Sequence, residues 1–333
     1  RAEAPGAARC CCSMPAGAPG FHQGSGWDTH YHSPALAAEV VALLGGSALV
    51  LDGTLGGGGH AAALLEHGAG RVIGVDRDPD ALAVATARLA SAAADGRFAA
   101  YHGNYSAIDA IPAIADLRFT GILLDLGISS HQIDDATRGF SFREGAPLDM
   151  RMGTDAAQTA AELLDDTDET ELARIFREYG DEPRAARLAR EIVRRRETRP
   201  FRISDDFVGA IRGAYGPRTG APEFARLFQA VRIAVNDELA GLARALPLLR
   251  DRLAPGGTFV IIAYHSGEDR MVKHAFRDWS TDCICPPRHP MCTCGGDHAT
   301  GEVLTRRATV ASAEEIARNP RARSAKLRAW RAK

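Results

Sequence analysis

Residues Val50-Leu-Asp-Gly-Thr-Leu-Gly-Gly-Gly-Gly-His60 form an aliphatic run closed by an acid and followed by a turn with almost no side chains. A second aliphatic run, Val72-Ile-Gly-Val-Asp76, ends in a carboxylate too. A strand, a bare glycine turn and a helix let an adenosine-containing ligand lie against backbone, and an acid at the tip of the next strand can take both ribose hydroxyls. A glycine run alone is often only a tight turn; its pairing with Asp76 gives it meaning. The spacing departs from G-x-G-x-x-G, and Asp52 precedes the glycines, as suits a ligand carrying positive charge rather than a pyrophosphate. The pattern predicts a Rossmann-like sheet that binds S-adenosylmethionine in preference to NAD.

The rest of the chain extends that sheet. Strands are predicted at Ala48 to Leu51, Val72 to Val75, Phe98 to Tyr101, Gly121 to Asp125 and Thr258 to Tyr264. Helices are predicted from Ala61 and from Pro79 through Ala94, the latter packing through Leu82, Ala85, Ala87 and Leu89. Alternating strands and helices imply parallel crossovers and a doubly wound α/β sheet. From Asp134 to about Gly220 the pattern turns to charged helical segments, Glu169 to Tyr179 and Pro183 to Arg196 among them, which read as a helical insertion. The expected division is a disordered leader at 1–28, a sheet domain from 29–133 and 221–333, and a helical domain at 134–220.

At 333 residues with a net charge of −2, the chain is not uniformly basic. Arginine is concentrated locally, at Arg184 to Arg199 and at Arg318 to the C-terminus. In the first cluster Arg187, Arg190 and Arg194 face away from Ala185, Leu188 and Ile192. Such a face is most often merely solvated, but beside a cofactor domain it suits RNA phosphates. No run reaches the ~18–20 apolar residues of a membrane span, so a soluble, cytoplasmic protein without a membrane partner is expected. Residues 1–28 lack hydrophobic periodicity and carry Cys10, Cys11 and Cys12 in a row; an organellar presequence is the rival reading of that segment.

Two groups of residues carry chemistry. Asp125, Ser129 and Ser130, at the end of the predicted fourth strand, stand where open α/β sheets hold ligands, and they can accept the N–H groups of an exocyclic amine. On its own, Asp125 could equally be a helix N-cap. His265 and Asp269, at the neighbouring strand end, are the second choice for orienting a base. Separately, Cys283, Cys285, Cys292 and Cys294 could surround one zinc, against the alternatives of four reduced thiols or a disulfide.

The motifs together resemble the bacterial ribosomal RNA small-subunit methyltransferase H family, also called MraW. The carrying residues are His32-Ser-Pro34, Asp52 to His60, Asp76-Arg-Asp-Pro79, Asp125 to Ser130 with Gln132, Arg138-Gly-Phe-Ser-Phe142, Leu148-Asp-Met-Arg-Met152, Phe228 to Ile233 with Asn236 and Glu238, His265 to Arg270, and Asn319 to Arg328. They run in family order over most of the chain. The resemblance implies a class I methyltransferase that methylates N4 of a cytidine in the decoding centre, the P site, of 16S ribosomal RNA, with the small subunit or its precursor as partner. It implies that Gly58, Gly59 and His60 line the methionine part of the cofactor, that Asp76 binds ribose, that Tyr105 stacks on or flanks adenine, and that Asp125 and Gln132 complete the contacts. Tyr264 and Gly267 replace a phenylalanine and a leucine usual in the family, and the glycine is expected to loosen its turn. The alternatives are a DNA amino-methyltransferase, a methyltransferase-fold assembly factor without catalysis and an NAD-dependent oxidoreductase. The oligomeric state is open, a homodimer included.

Overall fold

The computed structural model describes residues 34–129, 132–133, 135–286 and 291–333. The leader expected at 1–28, His32, Ser33 and the candidate Ser130 lie outside them. The eight strands are β1 (Leu49–Asp52), β2 (Arg71–Asp76), β3 (Phe98–His102), β4 (Phe119–Asp125), β5 (Leu253–Ala263), β6 (Gly301–Val303), β7 (Thr309–Val310) and β8 (Lys326–Ala332). They form one sheet in the order β3-β2-β1-β4-β5-β8-β6, with β7 also paired to β8. The first five are mutually parallel, and β8 runs antiparallel to β5.

The sheet is buried on both faces, which explains why its strands read as unbroken apolar runs. Side chains alternate between two cores. Val50, Val72, Leu123, Val260 and Ile262 face the helices Ala37–Leu44 and Gly59–Glu66. Leu51, Ile73, Leu124, Phe259 and Ile261 face the helices Glu238–Arg250 and Ser266–Trp279. The predicted helix at Pro79 divides into Pro79–Arg88 and Ala90–Ala94, and it packs through Ala81, Ala85 and Leu89, leaving Ala87 exposed. Strand β5 begins earlier than expected, at Leu253. Ala254 to Gly257 bulge out of the ladder, because Leu253 pairs with Phe119 while Thr258 already pairs with Gly121.

A third core belongs to the insertion and moves one boundary. The helices Ala160–Asp166, Glu169–Glu178, Ala185–Arg196 and Ser204–Tyr215 close around Leu163, Phe176, Leu188, Ile192 and Phe207. The helix Ala221–Val235, assigned by sequence to the sheet domain, buries Phe224, Leu227, Phe228 and Val231 in this same core. Phe207 and Phe228 lie 5.0 Å apart between ring centroids. The helical unit therefore extends to Val235, and the seam falls at Asn236 and Asp237, the latter with a left-handed φ of 52°. No Pro or Gly cluster marks that seam, which is why the charge pattern placed it earlier.

Asn236 also binds the insertion back to the sheet. Its Oδ1 accepts from Met152 N at 2.8 Å, and its Nδ2 donates to Met150 O at 2.7 Å and Arg232 O at 2.9 Å. Arg77, just past β2, donates to Asp155 at 2.8 Å and to Asn236 O at 3.1 Å. The two units thus meet at the C-terminal ends of the parallel strands. No helix among the described residues is long and apolar enough to cross a membrane.

Candidate active site

Strand order reverses between β1 and β4, and the crevice beyond the C-terminal ends of such strands is where open α/β sheets bind ligands. Three strands end there in acids: Asp52 on β1, Asp76 on β2 and Asp125 on β4. A cavity of about 960 Å³ opens above them, lined by the glycine turn, by Met152 and Asp155 of the insertion, and by Arg321 near the C-terminus.

Each acid is held differently. Asp76 accepts from Gly56 N at 2.7 Å and from Asp78 N at 2.9 Å, so it braces the glycine turn while lining the cavity. Burial raises its pKa, and those two amides oppose the rise. Asp125 accepts the Tyr264 hydroxyl at 2.9 Å on Oδ1, and its Oδ2 lies 3.3 Å from His60 Nε2. Asp52 is fully buried. One oxygen accepts from Thr54 N at 3.2 Å, while Oδ2 has no hydrogen-bond partner. Burial pushes its pKa up to about 7 against the opposing pull of His60. For His60 itself burial disfavours the imidazolium, but the Asp125 carboxylate beside its Nε2 and the charges of Asp125 and Asp52 outweigh it, and its pKa is raised.

The backbone around these acids is bare. Gly56 has φ +51° and lines the cavity, and a Cβ there would meet no protein atom. Gly53 is enclosed instead: its Cβ would fall 2.6 Å from Leu124 and 3.1 Å from the Tyr105 Cβ. Tyr105 lines the cavity from a short 3₁₀ turn capped by Asn104, and burial raises the pKa of its hydroxyl.

The structure brings Gly59, His60, Asp76, Tyr105, Asp125, Ser129, Gln132 and His265 to this one cavity. Gly58 is not on its wall; its φ of +76° starts the following helix, and a Cβ there would sit 3.2 Å from the Ala85 Cβ. Gln132 is tied to Asp78 at 2.8 Å and to the Ser129 backbone at 3.1 Å, so it acts on the cavity partly through its neighbours. Asp269 is not on the wall. It accepts from Arg328 at 2.7 Å and joins the helix Ser266–Trp279 to β8; Glu268 takes the place at the cavity. Glu268 also accepts from Tyr264 N at 2.9 Å, and with His265 as N-cap it closes a capping box. At Gly267 an added Cβ would sit 3.2 Å from the His265 ring, so a larger residue there would press on the N-cap histidine.

Two groups here lie within the quoted motifs but were given no role by the sequence. Asp78, 2% exposed, caps the helix Pro79–Arg88 and accepts from both Gln132 and Arg138. The Asp-Pro pair at a helix start was its signal. Arg232 and Glu238 form a two-pronged ion pair at 2.8 and 3.0 Å on the cavity wall. Their six-residue separation spans the domain seam, so no helical spacing announced it.

Arg187, Arg190 and Arg194 are exposed on the helix Ala185–Arg196 and lie away from the cavity; Arg194 pairs with Glu191 at 2.7 Å. The cavity's own cations are Arg77, Arg232, Arg244 and Arg321. Far along the chain, the sulfurs of Cys283, Cys285, Cys292 and Cys294 all lie within 4.8 Å of one another.

The sequence model of the MraW methylase family matches residues 29–333. Three similar proteins are each named ribosomal RNA small subunit methyltransferase H. The one from Gemmatimonas aurantiaca is 62% identical over 92% of this chain and 97% of its own length. Those from Heliobacterium modesticaldum and Anaeromyxobacter sp. strain K are 46% and 50% identical, each over 90% of this chain and 97% and 96% of their own lengths.

Proposed function

The chain belongs to the MraW methylase family, and from that premise we propose that it transfers the methyl group of S-adenosylmethionine to N4 of a cytidine in the decoding centre of 16S ribosomal RNA, acting on the small subunit or its precursor. The observation that carries this reading is the convergence of Asp76, Asp125 and His60 on one cavity at the strand-order reversal. Relatives named for ribosomal RNA small-subunit methylation support the choice of substrate.

The residues suit a cationic adenosine ligand. The two strand-end acids on the cavity wall, Asp76 and Asp125, would repel a pyrophosphate and attract a sulfonium and an ammonium group. The bare backbone at Gly56 gives such a ligand a surface, and Asp76 keeps acceptor capacity for ribose hydroxyls beyond its two amide bonds. When bound, S-adenosylmethionine supplies an electrophilic methyl group. Asp125, fixed between Tyr264 and His60, and Ser129 accept the N–H groups of the cytosine amine and favour the pyramidal nitrogen that can attack. One amine proton then leaves to solvent or to an acceptor at the strand end. The arginines of the insertion supply phosphate contacts away from the reacting atoms.

Mass spectrometry of 16S ribosomal RNA from cells with and without this gene tests the reading. The expected result is loss of one N4-methylated cytidine in the decoding centre, restored by the wild-type gene. An unchanged modification there would assign the chain a different methyl acceptor.

A further inference from the structure

Between the helix Ser266–Trp279 and β6 the chain makes an excursion that contributes nothing to the cavity described above. Its base is pinched shut: Thr300 N donates to Trp279 O at 2.8 Å, and His298 N donates to Asp282 O at 3.1 Å. Among its described residues the excursion has no core of its own, and Ile284 and Met291 stand 63% and 74% exposed. Yet four sulfurs from its two arms converge at its centre. Cys292 lies 3.6 Å from Cys283 and 3.5 Å from Cys294, and Cys294 lies 3.8 Å from Cys283. Cys285 completes the group within 4.8 Å of the rest.

Four thiolates around zinc at about 2.3 Å stand about 3.8 Å apart along the edges of a tetrahedron. The three separations among Cys283, Cys292 and Cys294 match that edge. They do not match a disulfide, whose sulfurs are about 2 Å apart and which would draw two of the four together and leave the others. The backbone is arranged for anionic sulfur as well. Thr293 N donates to the Cys285 sulfur at 3.3 Å, and left-handed φ values of 84° at Gly295 and 72° at Gly296 turn the chain directly after Cys294. Hydrogen bonds of this kind orient thiolate ligands and spread their charge.

We propose that Cys283, Cys285, Cys292 and Cys294 bind one structural zinc ion in tetrahedral S₄ coordination, each thiol releasing its proton to solvent as it binds. The ion cross-links the two arms of the excursion in place of a hydrophobic core. With all four positions taken by protein, it has no open site and plays no part in methyl transfer.

Untagged full-length protein purified without chelator should carry about one zinc per chain by elemental analysis. Zinc replaced by cobalt should give the intense visible bands of a tetrahedral thiolate site together with sulfur-to-cobalt charge transfer. The variant carrying Cys283→Ser and Cys292→Ser should lose the metal, keep its far-ultraviolet dichroism and become sensitive to protease within the excursion. Should that variant misfold, the wild-type stoichiometry and cobalt spectrum still decide. Folded wild-type protein without metal, whether its cysteines are free thiols or mass spectrometry finds disulfides among them, overturns the proposal, as does a cobalt spectrum without tetrahedral thiolate bands.

Discussion

Tyr264 donates its hydroxyl hydrogen bond to Asp125 Oδ1 at 2.9 Å, joining the end of β5 to the acid that closes β4. The ring lies against Gly127, whose φ of +100° carries the chain past it; a Cβ there would sit 3.3 Å from Tyr264 Cδ2. Burial and the Asp125 charge raise the tyrosine pKa, so the hydroxyl keeps its proton and remains a donor. This contact is the physical meaning of the departure from phenylalanine. Tyr264→Phe should fold normally but leave Asp125 less firmly aimed. Losing a hydrogen bond to a charged group costs about 1.5–3 kcal/mol, or roughly 10- to 150-fold in single-turnover rate, with RNA affinity unchanged. A rate equal to wild type would mean that His60 alone fixes the carboxylate.

Stability should fall as pH rises through neutrality. The folded pKa of Asp52 is raised to about 7 by burial, so between its ordinary value and that point the folded state holds a proton the unfolded chain has lost. Its contribution is complete at low pH and declines by roughly 1 kcal/mol per pH unit across that window. His60, whose pKa is also raised, acts in the same direction: its contribution is complete below the unfolded value and is lost as pH passes the folded one. Asp52→Asn cannot ionise and should flatten the profile between about pH 5 and 7. Urea unfolding at several pH values checks this, and parallel curves for the two proteins would show that Asp52 is not the titrating group.

The sheet was legible because strands buried on both faces must be continuously apolar, and because each strand that reaches the site ends in an acid after such a run. Asp52, Asp76 and Asp125 could therefore be read in one dimension. The arrangement around them could not. Asp78 looks like an ordinary helix cap until Gln132 and Arg138 arrive from 54 and 60 residues away. Asp269 shares a motif with His265, yet the first turn of its helix sends it toward Arg328 and brings Glu268 to the cavity. The seam at Asn236 was hidden because Ala221–Val235 is amphipathic in a way that suits either core, and only packing against Phe207 decides which.

If the exposed arginines of the insertion contact RNA, their charge should appear in the salt dependence of binding. Arg187 and Arg190 face solvent, whereas Arg194 is already engaged by Glu191. Replacing all three by glutamate should weaken RNA binding and lower the slope of log affinity against log salt by about two to three, since each lost phosphate contact removes roughly 0.7–0.9 of slope. Affinity for S-adenosylmethionine should not change, because none of the three lines the cavity. An unaltered slope would identify this face as merely solvated.

The choice of catalytic group rests between two strand ends. Asp125 closes β4, Ser129 follows it and His265 follows β5; all three line the cavity. His265 Nδ1 accepts from the amide of Glu268 at 3.4 Å and so caps its helix, while its Nε2, 3.1 Å from the Glu268 carboxylate, makes no hydrogen bond among the described residues. Asp125, held on Oδ1 by the Tyr264 hydroxyl with the His60 ring 3.3 Å from Oδ2, is the stiffer acceptor, and a contact that strengthens as nitrogen pyramidalises must be stiff to act on the transition state rather than on binding. Asp125→Asn and Ser129→Ala should therefore slow single-turnover methyl transfer by more than they weaken RNA binding, whereas His265→Ala should act chiefly through stability. The amine attacks before its proton leaves, so no strong base is needed beforehand, and the wild-type rate should depend only weakly on pH above neutrality. Normal transfer in the Asp125 and Ser129 variants, with loss confined to His265, would move the chemistry to β5. A rate climbing tenfold per pH unit would instead require deprotonation before attack.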